Sequence, residues 1–183
     1  MSQVTDFIRS DLFRCVGTDK FLSKKFVKAY FFDNGFKYLF WLRTCRSKNK
    51  LFKLFAMIQH KRLSTRFCID IPRSTKLGYG LYLGHGKCIV INSSAIIGNN
   101  VNLSQFTTIG SVESNAATIG DGVYIGPGVS IVENVIIGNE VKIGAGAVVT
   151  KNVDSNSVVA GVPAKKINHC EYNDFVTKRF TAK

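Results

Sequence analysis

From Ile119 the chain sets an aliphatic side chain at every sixth position, through Ile125, Ile131, Ile137, Ile143 and Val149. A second apolar position follows four residues after each, at Val123, Val129, Val135, Val141, Ala147 and Val153, and Gly often stands directly after the aliphatic residue. The same period runs through Ile91, Ile97, Leu103 and Ile109, with Ala95, Val101 and Thr107 as companions, and begins raggedly at Ile71, Leu77 and Leu83. A helix of about 3.6 residues per turn would carry a six-residue repeat around its whole surface and bury no fixed face. Short Val- and Ile-rich strands joined by tight glycine corners satisfy the spacing, each coil burying its apolar residues against the next. The expected fold is therefore mainly β, a solenoid of hexapeptide repeats.

Two steps break the period. Leu83 to Ile91 is eight residues, so an extra pair bulges out within Gly84-His85-Gly86-Lys87-Cys88. Ile109 to Ile119 is ten, so four extra residues leave the solenoid within residues 111–118. Loops held on a rigid scaffold are where sites are commonly built, and the first of these carries a histidine.

Upstream of residue 68 the apolar groups fall three and four apart instead. Phe7, Ile8, Leu12 and Phe13 mark a first helix, and Gly17-Thr18-Asp19 offers a break and a new N-cap. A second helix is expected from about Lys20 to Phe32, a turn at Asn34-Gly35, a third helix through residues 38–42 and a fourth from Leu51 to about Leu63. No apolar run approaches the roughly 18 residues that cross a bilayer. The opening Met-Ser-Gln-Val-Thr-Asp lacks the basic start of a secretory signal. The expected organisation is a helical module over 1–67, a β-helix over 68–164 and a tail over 165–183.

Charge divides along the same boundaries. Residues 1–67 hold 15 Lys and Arg against 4 Asp and Glu, with 11 of the 14 Phe and the single Trp. Residues 68–164 carry five cations against six acids, and the tail adds +3 to reach the net +13. A basic, Phe-rich helical module fits a bundle with inward aromatics and solvated lysines. It also fits an interfacial surface, with Phe and Trp among lipid headgroups and Lys and Arg on anionic lipid. Charge alone suits nucleic acid too, but no nucleic-acid motif accompanies it, so none is expected as a partner. The five scattered cysteines form no C-x-x-C pair and suggest neither a disulfide framework nor a metal site. The expected setting is cytoplasmic, with peripheral contact at the inner face of a membrane.

Three features together carry a family resemblance: the hexads, the run Ile69-Asp70-Ile71-Pro72 leading to Leu81-Tyr82-Leu83-Gly84-His85, and the closing Ala160-Gly161-Val162-Pro163-Ala164-Lys165. The chain resembles the hexapeptide-repeat acyltransferases, in the branch named for serine O-acetyltransferase, closely over about residues 68–168. The resemblance implies a left-handed parallel β-helix of three hexads per coil, a homotrimer, and acetyl-CoA bound between subunits with no metal. By motif position it implies that Gly110, Pro127, Lys142 and Ala145 line the CoA groove, with Lys165 and Lys166 near the nucleotide phosphates.

Chemistry points to His85 independently. Moving an acetyl group from a thioester to a hydroxyl requires a base for the hydroxyl proton, and imidazole is the side chain whose ordinary pKa lies nearest neutrality. Asp70 precedes His85 by 15 residues, close to the 18 of one coil, so the two are expected near each other on successive turns, Asp70 orienting the ring. The same separation occurs in the serine acetyltransferases.

Two departures bear on the acceptor. Serine acetyltransferases place an acid directly before the catalytic histidine and an Arg-His pair in the second loop; this chain has Gly84 and Asn115-Ala116. A zwitterionic serine would leave charges unpaired there. The expected activity is thus O-acetylation of a sugar hydroxyl, as in members that tailor surface polysaccharides. Serine O-acetylation and a non-catalytic docking solenoid are the alternatives.

Overall fold

The structure is a computed structural model that describes residues 3–112 and 115–181. Two residues of the second loop, Glu113 and Ser114, lie outside the described residues.

The hexad positions from Ile119 to Val149 point inward and are at most 2 % exposed. They do so because each coil contributes one short strand to each of three parallel sheets. The first sheet stacks β1 (Ile69–Asp70), β4 (Ile89–Ile91), β7 (Thr108–Gly110), β10 (Ser130–Val132) and β13 (Val148–Val149). The second stacks β2 (Lys76–Leu77), β5 (Ile96–Ile97), β8 (Thr118–Ile119) and β11 (Ile136–Ile137). The third stacks β3 (Tyr82–Leu83), β6 (Asn102–Leu103), β9 (Tyr124–Ile125), β12 (Lys142–Ile143) and β14 (Ser157–Ala160), and closes with antiparallel β15 (Lys165–His169).

Register gives the coil length directly. Ile119 lies beside Ile137, Ile125 beside Ile143 and Ile131 beside Val149, which is 18 residues or three hexads per coil. The first coil is longer: Ile69 pairs Ile89 and Asp70 pairs Val90, because the pair of residues added between Gly84 and Cys88 is absorbed there. His85, Gly86 and Cys88 all take positive φ to make that bulge.

Four helices precede the solenoid: α1 (Gln3–Val16), α2 (Lys24–Phe32), α3 (Asn34–Thr44) and α4 (Lys50–Phe67). Their ends differ from the expected ones for local reasons. Asn34-Gly35 is no turn but the first turn of α3, since the Asp33 carboxylate caps it by accepting the Phe36 N–H at 2.7 Å. Likewise α2 starts at Lys24 because Ser23 accepts the Phe26 N–H at 3.1 Å. Asn49 caps α4 in the same way, and that helix continues to Phe67, ending on left-handed Cys68.

The helices cover the open start of the solenoid, and one apolar core runs from Tyr38, Leu39 and Leu42 through the coils to Val159. Polar groups lock the junction. Arg43 and Asp11 form a fully buried ion pair at 2.9 Å; Arg43 also donates to the carbonyls of Leu77 and Gly78, and Asp11 accepts the Leu81 N–H. Beside α4, His60 Nε2 lies 2.9 Å from the Tyr38 hydroxyl, which also accepts the Ile71 N–H. Burial pushes His60 down to about 4. Between its ordinary value near 6.5 and about 4, the unfolded chain therefore binds a proton that the folded chain does not, so stability falls as pH drops through that window. Urea midpoints should decrease from pH 7 to pH 5, and His60→Gln should flatten that slope.

The tail returns along the third sheet. Arg179 pairs Glu140, Asn173 donates to the Gly122 and Val141 carbonyls, and Phe180 meets Phe13 and Tyr79 near α1. Among the described residues no helix is long and apolar enough to cross a membrane.

Candidate active site

The edge where each coil passes from the third sheet to the first collects the candidate chemistry. On that edge a residue two places after the inward aliphatic is displayed at the same height in every coil: His85 after Leu83, Gln105 after Leu103, Pro127 after Ile125 and Ala145 after Ile143. Backbone hydrogen bonds stack them, with Gly84 N–H on the Leu103 carbonyl, Gly128 N–H on that of Gln105 and Gly146 N–H on that of Pro127. His85 stands exposed near the capped end of this column.

A cleft of about 490 Å³ opens around it, lined by Phe32, Asp33, Asn34, Tyr82, Gly84, Ser104, Gln105, Tyr124 and Pro127 besides His85. The helical module forms one wall because glycines allow it to approach. A Cβ on Gly86 would stand 2.2 Å from the Gly35 nitrogen, and one on Gly35 would stand 2.4 Å from the Leu83 carbonyl oxygen. Larger residues at either position would push α3 away from the histidine loop. One coil below His85 the edge carries Gln105 and the exposed Phe106, and further down it opens: a Cβ on Gly146 would meet nothing within 4 Å, and one on Gly128 would meet only Gly146 backbone at 3.9 Å. The result is a short track of open backbone at Gly128 and Gly146, separated from the imidazole by the coil that carries Gln105 and Phe106.

The expected residues divide on this geometry. His85, Pro127 and Ala145 share the edge, and Lys165 enters it at the far end, where β15 pairs Ala160. Gly110 does not; it ends β7, at the opposite side of the first sheet. Lys142 lies on the third sheet, where its ammonium pairs with Asp174 of the tail and sits 4.8 Å over the Phe175 ring. The Asp174 hydrogen bond raises the Lys142 pKa. Within the chain this lysine anchors the tail.

Asp70 ends β1 in the first sheet. The lengthened first coil sets Val90, not His85, beside it. Asp70 instead lines a larger cleft of about 1130 Å³ between α4 and β1, with His60, Ser64 and Arg73. Among the described residues no hydrogen bond joins Asp70 to His85 within one chain. Cys88, near His85 in sequence, uses its backbone N–H to bond the Phe67 carbonyl at the coil's start.

Tyr82, Gln105 and Tyr124 were not singled out from sequence, although a signal exists. Tyr82 and Tyr124 directly precede Leu83 and Ile125, as Asn102 precedes Leu103, and Gln105 holds the offset of His85 one coil on. Gln105 Oε1 is buried there without a hydrogen-bond partner. Among the described residues no group of three or more His, Cys, Asp or Glu is placed to hold a metal ion.

Comparison with known proteins agrees with this architecture. The family model for the bacterial transferase hexapeptide (six repeats) matches residues 116–151. Serine acetyltransferase 2 of Arabidopsis thaliana is 39% identical over 126 residues, covering 67% of this chain and 39% of that protein. The serine acetyltransferase of Escherichia coli K12 is 35% identical over 117 residues, covering 62% of this chain and 43% of its own. The chain thus spans about two fifths of the length of these curated relatives. Among solved structures, Neisseria gonorrhoeae serine acetyltransferase in complex with serine superposes with a TM-score of 0.75 at 33% identity, covering 89% of this chain and 68% of that one. Brucella abortus serine acetyltransferase in complex with coenzyme A gives a TM-score of 0.76 at 30% identity, covering 91% and 68%. These relatives are serine acetyltransferases, and the expected nearness to polysaccharide-tailoring members finds no counterpart among them. By its repeats, its coil register and these likenesses, the chain belongs to the hexapeptide-repeat, left-handed β-helix acyltransferase family.

Proposed function

We propose that the chain is an acetyl-CoA-dependent O-acetyltransferase, working as a homotrimer, that transfers the acetyl group directly to a small hydroxylic acceptor with His85 as general base. The observation that carries this reading is the exposed imidazole in a cleft above a track of backbone left open at Gly128 and Gly146. Such a track admits an extended pantetheine arm against backbone N–H and C=O groups, with Pro127, Ala145 and Lys165 along it. In the transfer His85 takes the hydroxyl proton as the oxygen attacks the thioester carbonyl. The tetrahedral oxyanion then collapses, the C–S bond breaks and the imidazolium returns the proton to the departing thiolate. Asp70 keeps the role of orienting the imidazole in this proposal.

L-serine is the acceptor that the relatives support, one of them being solved with serine. A neutral saccharide or polyol hydroxyl is a second reading, favoured by the lining of the cleft. Gly84 puts no acid before His85, and no Lys or Arg is there to meet a substrate carboxylate. The one acid, Asp33, is already engaged by the Phe36 N–H and the Cys15 thiol. Ala116 is buried and bonds Ser94 Oγ, so the second loop supplies no cation from that position either. Thiol release from acetyl-CoA, followed with L-serine and with a panel of nucleotide sugars and oligosaccharides, separates the two. Release with serine at millimolar levels establishes the first; release with saccharides alone establishes the second; release with neither overturns O-acetyl transfer to these classes.

A further inference from the structure

The helical module carries a surface that the acetyl-transfer reading does not use. We propose that α4 and the groove beside it dock the protein on an anionic lipid bilayer. A helix packed on a core normally keeps one apolar stripe inward and a polar face outward. Here α4 has two apolar stripes. Ala56, Leu63 and Phe67 are buried with His60, whereas Leu51, Leu54, Phe55 and Ile58 are 81, 57, 49 and 51% exposed, at the spacing of a second continuous face.

A groove of about 740 Å³ between α2, α3 and α4 adjoins this stripe. Its walls include Phe31, Trp41 and the cations Lys37, Lys61, Arg62 and Arg66, with no acid among them. Aromatic contacts join groove to stripe: Phe31 on Tyr30, the Trp41 indole N–H on the Tyr30 hydroxyl at 3.1 Å, and Trp41 on Phe55 at 5.4 Å. Lys37 lies 5.5 Å from the Tyr30 ring. From Asn34 to Ile69 the sequence holds nine Lys and Arg and no Asp or Glu.

Charge and apolarity together select the occupant. Exposed Leu, Phe and Ile enter the headgroup–acyl boundary while the cations around them meet lipid phosphates and carboxylates, long stems lying along the apolar surface. A second copy placed on the stripe would press one module of net +11 against another. Nucleic acid would satisfy the cations and leave the stripe in water.

The test is co-sedimentation of the full chain with phosphatidylcholine vesicles that contain or lack phosphatidylserine. Binding is expected only with phosphatidylserine and should weaken in high salt. Leu51→Glu/Phe55→Glu and Lys37→Glu/Arg66→Glu alter side chains of the stripe and the groove that lie outside the Asp70 cleft, so circular dichroism and assembly mass should remain as in the wild type. Each pair should lower vesicle affinity by roughly tenfold or more. Binding to neither vesicle, or equally to both, would overturn the proposal. So would a wild-type mass twice that of the Leu51→Glu/Phe55→Glu variant, since a second copy would then cover the stripe. Neither outcome touches the acetyl-transfer reading, which thiol release tests separately.

Discussion

Replacing His85 by asparagine is expected to lower turnover of acetyl-CoA by about 10²–10⁴-fold, the range a positioned general base contributes, while the KM for acetyl-CoA changes little. Asparagine is the informative choice because His85 sits at φ 60, a left-handed conformation that Asn adopts readily. His85→Ala should likewise abolish measurable turnover. Neither change should disturb folding: the side chain is exposed, and the bulge is held by Gly84, Gly86 and backbone bonds such as Cys88 N–H to Phe67. Circular dichroism and assembly mass check that point. Asp70→Asn should produce a smaller loss, expressed in kcat, because a residue that orients the base acts on the transition state and not on the bound CoA. A wild-type rate in His85→Asn would remove the imidazole from the mechanism and leave the cleft without a reacting group.

Positions fixed by the six-residue period could be read from sequence, and those fixed by distant partners could not. Ile119 through Val149 fell inward because periodicity determines which side chains share a face, and the two broken steps located the bulges. The strand partner of Asp70 shows the effect of a broken step: an 18-residue coil would set residue 88 beside it, but the two residues added at 84–88 bring Val90 alongside instead. At Asn34-Gly35 a turn signal lost to a capping carboxylate one residue earlier. Lys142 occupies a groove position by motif, yet Asp174, 32 residues on, takes its ammonium; no period in the tail announces that contact. The walls of the His85 cleft depend similarly on helices whose approach is set by Gly35 and Gly86, a pairing visible only once both elements are placed.

Asp11→Ala and Arg43→Ala should each destabilise the chain by about 3–5 kcal/mol, the cost of leaving one buried charge without its partner. Both side chains are only 1% exposed. Burial pushes the Asp11 carboxyl upward against the pull of Arg43 and the Leu81 N–H, so either single change strands a charge or a polar group in the junction. The double variant Asp11→Leu/Arg43→Met should cost much less than the sum of the single changes, since it removes both charges together. It should still fall below wild type. Arg43 also serves the Leu77 and Gly78 carbonyls, and Asp11 serves the Leu81 N–H, so the apolar pair leaves those backbone groups unpaired at the mouth of the solenoid. Urea unfolding measures the energies, and hydrogen exchange locates them: α1 amides should lose protection before those of β9 and β12. If each single variant lay within about 1 kcal/mol of wild type, the junction would be held by apolar packing alone. A larger loss confined to α1 and α3 would show that the pair fastens the cap onto the first coil. That cap shields the starting edges of the parallel sheets, which would otherwise offer unpaired strands to a second chain.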